Sequence, residues 1–333
     1  PFKLYLDSEY PDGAASHGFP DMRSEMKFYK EDSKSPRGYW GLKDMVTFYL
    51  FDCKGKVDVD DHLIQSLGNN RYRISSGGSL LECEFKPTRV AELSSPEPSY
   101  IGGEFYEPPL FGVTVIGSGH GFDTEAKTSG FIIWVDGKGI MVDPPVNSTD
   151  WLRQNKINPR IVEDLILTHC HADHDSGTLQ KILEEGRVKV HTTTTVLKSF
   201  QAKYASITQL AASEFVSLFE FVPLQIGIPI TIAGATFHFK YTLHPIPTLG
   251  FEVHFQGKSF YYSCDTLYCP ETIEELHQRG VLSTQRRDDL LDVAWNSTLI
   301  FHEAGIPPIH TPLKVLEALP DAVKQNMFLV HVS

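Results

Sequence analysis

An apolar run ending in Thr168 gives way to His169, His171, Asp173, His174 and Asp175 in the stretch LILTHCHADHDSGT, residues 165–178. Only 14 histidines occur in 333 residues, so three within the six positions 169–174 point to a joint task. In an extended segment His169 and His171 face one way and Cys170 the other. Two imidazoles on one side of a loop make a natural pair of metal ligands. Asp173 and His174 follow where the chain turns toward a helix, placed to serve a second ion. Asp175 has no ligand task in this pattern and is expected to cap that helix or to brace a neighbouring histidine.

A loop of this kind needs further ligands from elsewhere, and strand ends are rigid places from which to present them. Three candidates stand where an apolar strand meets a polar loop: His244 after FHFKYTL, Asp265 after SFYYSC and His331 after MFLV. Cys170 and Cys264 stand beside ligands, but strand alternation turns each of them away from its neighbour and inward.

In order and context, His169-X-His171-X-Asp173-His174, then a spaced histidine, the Asp of CDT and a strand-end histidine resemble the metallo-β-lactamase superfamily. The resemblance covers residues 111–333. It implies an α/β fold, an αββα sandwich with a two-metal site at the sheet edges. Carried over, His169, His171 and His244 would hold one ion, Asp173, His174 and His331 the other, and Asp265 would bridge them. LHPIPTLGFEVHFQGKSFYYSCDT is similar to the matching stretch of tRNase Z-like phosphodiesterases. LIFHEAG (299–305) resembles the His-Glu-Ala-Thr motif of that branch, and IHTP (309–312) its later His-Ser/Thr. Gly305 stands where the motif has Thr, and Cys264 where the branch has Gly before the bridging Asp. The basic, Gly/Pro-rich arm that clamps tRNA has no counterpart: residues 192–243 hold only Lys198, Lys203 and Lys240 and no Gly-Pro pair. HEAGIPPIHTP, with the following LPDAVKQNMFLVHVS, also looks like metallo-β-lactamase-fold proteins of cyclic-nucleotide signalling.

The resemblance thus implies a binuclear metal-dependent phosphodiesterase acting on a small anionic phosphodiester, with a 3′,5′-cyclic nucleotide favoured. Two divalent ions about 3.5–4 Å apart would share a water and lower its pKa toward about 7, and the hydroxide would attack phosphorus in line. The ligand set suits zinc and would also accept Mn or Fe. Asp173 would orient the nucleophile, His302 would protonate the leaving alkoxide, and Glu303 would set the His302 tautomer. His310 would contact the phosphate, whereas His120 in GSGHG reads as a turn histidine without a catalytic task. The alternatives are a tRNase Z-like RNA 3′-endonuclease, a thioester- or lactam-cleaving metallohydrolase, and a non-catalytic scaffold of the same fold.

The elements that must position these residues fall into two regions. Residues 1–110 read as a β-rich accessory region, with MKFYK, MVTFYLFD, RYRIS and SLLECEF as short strands and SSGG as a hairpin turn. It closes in a Pro/Gly/Ser-rich linker over 92–110. Residues 111–333 alternate strands and helices, the pattern of two sheets covered by helices. STDWLRQNKI is expected to be a Ser- or Thr-capped helix ended by Asn158-Pro159, and DGKG and FQGKS to be tight turns. A net charge of −12 weighs against a nucleic-acid partner, which needs clustered Lys and Arg. No apolar run reaches the roughly 18 residues that span a membrane. The opening PFKLYLDSEYPDG shows no signal peptide, and an odd count of five cysteines suits a reducing, cytoplasmic setting.

Overall fold

The computed structural model describes residues 22–31, 47–84, 106–123, 126–208, 210–305 and 307–332. The chain divides into two compact units, one built on Glu31–Ser99 and one joining Phe2–Lys30 to Tyr100–Ser333.

In the first unit, β1 (Lys56–Val59), β2 (His62–Gly68), β3 (Arg71–Ser76) and β4 (Ser79–Glu84) form an antiparallel meander in chain order. Gly77 and Gly78 turn β3 into β4 with φ of 53° and 85°, the left-handed pair that a two-residue hairpin needs. Arg73 Nε donates to Glu82 Oε1 at 2.8 Å across this hairpin. The strand expected over 45–52 does not form in its described part, residues 47–52. That run, VTFYLF and its flanks, is apolar without alternation, so it offers no single face to bury. The linker expected at 92–110 lies outside the described residues as far as 105.

In the second unit, six strands make one sheet: β5 (Phe111–Gly117), β6 (Gly130–Val135), β7 (Lys138–Val142), β8 (Asp164–Ile166), β9 (Lys189–Thr192) and β10 (Glu220–Pro223). It is antiparallel from β5 to β7 and parallel from β7 to β10. The second sheet holds β11 (Ile230–Ile232), β12 (Ala235–Tyr241), β13 (Leu249–Phe255), β14 (Lys258–Tyr262), β15 (Leu299–Glu303) and β16 (Met327–Val330). It runs antiparallel up to β14 and parallel from β14 to β16. The DGKG and FQGKS turns form as expected, with Asp136-Gly137 and Gln256-Gly257 all at positive φ.

Alternation along the strands builds the layers. Phe131, Ile133, Ile140 and Val142 of the first sheet meet Phe237, Phe251, Phe260 and Phe301 of the second in one buried core. The residues between them, Ile132, Trp134 and Met141, face the helices α2 (Ser148–Gln154), α3 (Ala172–Glu185), α4 (Thr194–Thr208) and α5 (Ala212–Val216). Leu152, Ile182, Phe200 and Phe215 supply the covering side chains. On the second sheet, α6 (Pro270–Gln278) and α7 (Thr284–Leu291) build their own cluster from Ile273, Leu276 and Leu290. The order is α, β, β, α, the sandwich that the resemblance implies. Asn147, at φ 62°, precedes α2 in place of the expected Ser or Thr cap, and the helix ends at Gln154, before Asn158-Pro159. No helix among the described residues is long and apolar enough to cross a membrane.

One helix departs from the expected division. MKFYK alternates like a strand, yet residues 23–30 form a helix, α1 (Arg23–Lys30). Met22 and Met26, four apart and both buried, enter the central core of the second unit. Residues 22–30 therefore pack with the α/β region and not with the β-rich one to which the sequence pattern assigns them. Glu25 is 1% exposed and accepts from Arg286 Nε at 2.6 Å and Nη2 at 3.1 Å. Arg286, on α7, also donates to the carbonyls of Tyr241 and Thr242 at 2.7 Å each. Those carbonyls lie two and three residues before His244, so a buried ion pair pins a strand end that carries a candidate ligand. Glu25→Ala leaves the Arg286 guanidinium buried and uncompensated. It should cost about 3–5 kcal/mol, read as a lower midpoint in denaturant unfolding.

Candidate metal centre

Five strands of the two sheets deliver side chains to one rim of the sandwich. Asp143 follows β7, the loop 167–171 follows β8, His244 lies beyond β12, Asp265 beyond β14, and His331 directly after β16. The helix α3 starts at Ala172, so Asp173, His174 and Asp175 occupy its first turn. Carboxylates there face the positive end of the helix dipole.

Asp265 lies at the centre. Its Oδ2 is 3.7 Å from Nε2 of His169, of His244 and of His331, and its Oδ1 is 3.4 Å from Nε2 of His174. Nδ1 of His171 sits 3.1 Å from Nε2 of both His169 and His244. On the other side, Asp173 Oδ2 lies 3.2 Å from His331 Nε2 and 3.8 Å from His174 Nε2. Two of the groups whose ligand atoms lie within 4.8 Å of one another are His169, His171, His244 and Asp265, and Asp173, His174 and His331. Asp265 and His331 also group with His310, and His169 and His174 with Asp143 and Cys264. The structure thus brings together all seven residues expected as ligands.

His174 Nε2 and Asp265 Oδ1 are buried without a hydrogen-bond partner. Lone pairs of imidazole and carboxylate that face one another out of water are costly unless a cation stands among them. Five imidazoles and two carboxylates suit divalent ions of the borderline class. These residues therefore fit a divalent metal centre.

Behind the ligands lies a relay that sequence reasoning did not single out. Asp143, fully buried, accepts from Thr168 N at 2.9 Å, from Thr168 Oγ1 at 2.6 Å and from His174 Nδ1 at 2.9 Å. With its hydroxyl proton on Asp143, Thr168 Oγ1 accepts from His169 Nδ1 at 3.0 Å and from the Cys264 thiol at 3.2 Å. His244 Nδ1 donates to the Ile309 carbonyl at 3.1 Å. Each of these bonds puts the ring proton on the far nitrogen and turns an Nε2 lone pair toward Asp265. The available signal for Asp143 was a carboxylate ending the apolar strand GIMV just before Pro144-Pro145. Asp143, Cys264 and His331 all sit at positive φ, 42°, 50° and 59°, backbone strain of about 1–3 kcal/mol each that collects at this rim.

Electrostatics follow the geometry. Burial, reinforced by neighbouring histidines, holds His169 and His244 well below the usual imidazole pKa and brings His171 down to about 4. These rings are neutral, as ligands must be. Burial opposes charge on both His174 and Asp265, but Asp265 and Asp143 raise the His174 pKa well above the usual imidazole value. The charge of His174 holds the Asp265 carboxyl well below its ordinary range, and a divalent cation bound here would take the place of that ring proton.

The proposed acid–base residues separate. On β15, His302 and Glu303 are adjacent and so face opposite sides. His302, 1% exposed, turns away from the ligands: its ring stacks on Trp295, with centroids 5.6 Å apart, and its Nδ1 donates to the Glu303 carbonyl at 2.8 Å. Burial lowers its pKa to about 4. The Glu303 carboxylate does not set the His302 tautomer as expected. It accepts from His310 Nδ1 at 3.0 Å and from Thr311 N at 2.8 Å. His310 is the ring that reaches the cluster, 5.0 Å from the His331 ring and 5.6 Å from that of His244. Gly305 explains its own departure from the Thr of the motif: a Cβ there would meet the His310 Cβ at 2.8 Å.

Asp175 neither caps α3 nor holds a histidine. Fully buried in the first turn, it accepts from Lys203 Nζ at 2.6 Å and Tyr204 Oη at 2.7 Å, tying α3 to α4. The Cys170 thiol points away from the ligands to the Val196 carbonyl at 3.5 Å. Cys264 packs inward but lies in the relay, with Sγ 3.8 Å from His169 Nδ1. His120 accepts from Phe122 N at 3.0 Å in its turn, and its ring stands 6.2 Å from that of His331.

Residues 111–333 match the protein-family model described as "Anti-Pycsar protein Apyc1". The chain is 42% identical over 336 residues to the cGMP-dependent 3′,5′-cGMP phosphodiesterase A of Dictyostelium discoideum, covering 96% of this chain and 38% of that protein. It is 42% identical over 230 residues to the cAMP/cGMP-dependent 3′,5′-cAMP/cGMP phosphodiesterase B of the same organism, covering 68% of this chain and 21% of that protein. It thus spans well under half the length of either relative. Among solved structures, the metallo-beta-lactamase fold protein YhfI from Bacillus subtilis is similar at 18% identity and a TM-score of 0.46, over 66% of this chain and 85% of that one.

The relay makes a direct prediction. Asn in place of Asp143 has one accepting oxygen where two now take three donors, so its NH2 must face either Thr168 N or the Thr168 hydroxyl and His174 Nδ1. Asp143→Asn should therefore weaken divalent-metal affinity about 10–100-fold. Titration of the metal-stripped protein with Zn²⁺ measures this, with the fold checked by circular dichroism.

Proposed function

This chain belongs to the family described as Anti-Pycsar protein Apyc1, and we propose that it is a metal-dependent phosphodiesterase that hydrolyses a 3′,5′-cyclic nucleotide at the rim built around Asp265. The observation that carries the reading is the position of Asp265, which lies within 3.7 Å of Nε2 of His169 and His244 from one candidate group and of His174 and His331 from the other. A carboxylate so placed can bridge two ions, with His169, His171 and His244 completing one site and Asp173, His174 and His331 the other. Both 42%-identical relatives are named cyclic-nucleotide phosphodiesterases, which supports this substrate class.

Two bound divalent ions, zinc favoured, would supply a nucleophilic water at neutral pH and neutralise charge on the phosphoryl oxygens. The protein's own residues supply the rest. The histidines, Asp173 and Asp265 would hold the ions against which the phosphoryl group binds, and Asp173 would also orient the water. The water adds to phosphorus, one P–O ester bond breaks, and the leaving alkoxide needs a proton. His310 is placed to give it, in the role the sequence pattern assigns to His302. Burial opposes its imidazolium, but the hydrogen bond and charge of Glu303 outweigh this and raise the His310 pKa. Glu303 receives only donors, from His310, Thr311 and Thr266, as an ionised carboxylate does.

The test is a substrate panel with Zn²⁺ and Mn²⁺: cAMP, cGMP, bis(p-nitrophenyl) phosphate, a precursor tRNA and a thioester. The proposal expects turnover of a cyclic nucleotide, and cleavage of the precursor tRNA alone would overturn it. His310→Ala should lower kcat about 10²–10⁴-fold while metal content stays unchanged. The pH profile gives a second prediction. His310 donates only while protonated, so the rate falls as pH rises through its pKa. Glu303→Gln removes the charge that holds this pKa up, and the alkaline limb of kcat should move to lower pH.

A further inference from the structure

The loop between β5 and β6 carries the most exposed large apolar side chain among the described residues, Phe122 at 94%. Single exposed apolar residues are common on protein surfaces. This one stands on a pinned backbone beside the metal ligands. Ser129 Oγ donates to the Gly119 carbonyl at 3.1 Å and accepts from the backbone N–H of His331 at 3.0 Å. Val332 N donates to the Ser118 carbonyl at 3.1 Å, and Asp123 N to the His120 carbonyl at 3.0 Å. Gly121 lies so close to Asp173 that a Cβ there would meet its Oδ2 at 2.8 Å. The His120 ring is 6.2 Å from the ring of His331 and 6.2 Å from that of Phe122. The loop therefore holds an open aromatic face one ring beyond a ligand histidine.

We propose that the nucleobase of the substrate stacks on Phe122, making this loop the base-recognition lip of the site. The inference rests on the function proposed above and adds to it how the substrate is held. A cyclic nucleotide with its phosphate over Asp265 must send its base out of a cluster made of carboxylates and imidazoles. The β5–β6 loop offers an exposed π-surface beside the ligand His331, in Phe122 and His120. Every base has a π-face, so such a platform accepts guanine and adenine alike and leaves their distinction to other groups.

Steady-state kinetics of Phe122→Ala, Phe122→Tyr and the parent protein test this with cGMP, cAMP and a base-free methyl riboside 3′,5′-cyclic phosphate. In Phe122→Ala, kcat/KM should fall roughly tenfold more on the nucleotides than on the base-free diester, with the loss in KM and not in kcat. Phe122→Tyr, which keeps the ring, should restore the preference. Equal losses on all three substrates, or none on the nucleotides, overturn the inference and leave the proposed hydrolysis standing. A parent protein that cleaves neither cyclic nucleotide overturns the proposed function and the inference with it.

Discussion

A carboxylate that is 2% exposed, Asp265, sits within 3.7 Å of four imidazole nitrogens, and one of its oxygens has no hydrogen-bond partner. Burying such a group is costly, and bringing further lone pairs up to it adds repulsion. The arrangement is reasonable only as half of an ionic structure whose other half is a cation. The relay through Asp143 and Thr168 commits His169 and His174 to present their lone pairs there. Three residues hold left-handed backbone conformations at the same rim, at φ 42°, 50° and 59°. Strain and unsatisfied polarity are concentrated at the candidate metal centre.

The sandwich makes this concentration affordable in structural terms. Its core is an aromatic and β-branched contact between two six-stranded sheets. Strands β7 and β8 in one sheet and β14, β15 and β16 in the other run parallel, so their C-terminal ends collect along one rim. Side chains placed just beyond those ends meet, although they come from segments nearly two hundred residues apart. The His244 end is fixed separately, by Arg286 holding the carbonyls of Tyr241 and Thr242 while Glu25 balances its charge.

The placement of His302 and His310 shows how strand alternation selects among candidates. On β15 one of two adjacent side chains must face the helices and the other the rim. Phe301 is in the core between the sheets, so Glu303 shares its side and His302 does not. Glu303 then reaches His310 on the following loop at 3.0 Å, and the absence of a Cβ at Gly305 lets that loop lie close. The substitution of Gly for Thr in the motif and the placement of the histidine are one structural fact.

Much of this was legible in the chain itself. Histidine spacing in 169–174 and the apolar strands before His244, Asp265 and His331 were enough to assemble all seven candidate ligands, because each lies where a period-two run stops. The layer order followed from the alternation of strands and helices in 111–333. What escaped depended on contacts across the fold. MKFYK has too few residues to tell a strand from a helix, and only Arg286, some 260 residues away, gives Glu25 a reason to be buried. Asp143 carried only the weak signal of a carboxylate at a strand end, and Asp175 carried none beyond its neighbours. His310 was readable from IHTP as a phosphate contact but not as the partner of Glu303. Their partners, His174, Lys203 and Glu303, became visible only with the sheets in place. The sequence by itself determined which residues are candidate ligands, since spacing and strand ends are local properties. The tertiary structure decided which nitrogen His169, His174 and His244 present and which histidine Glu303 holds, because hydrogen bonds between distant segments settle both.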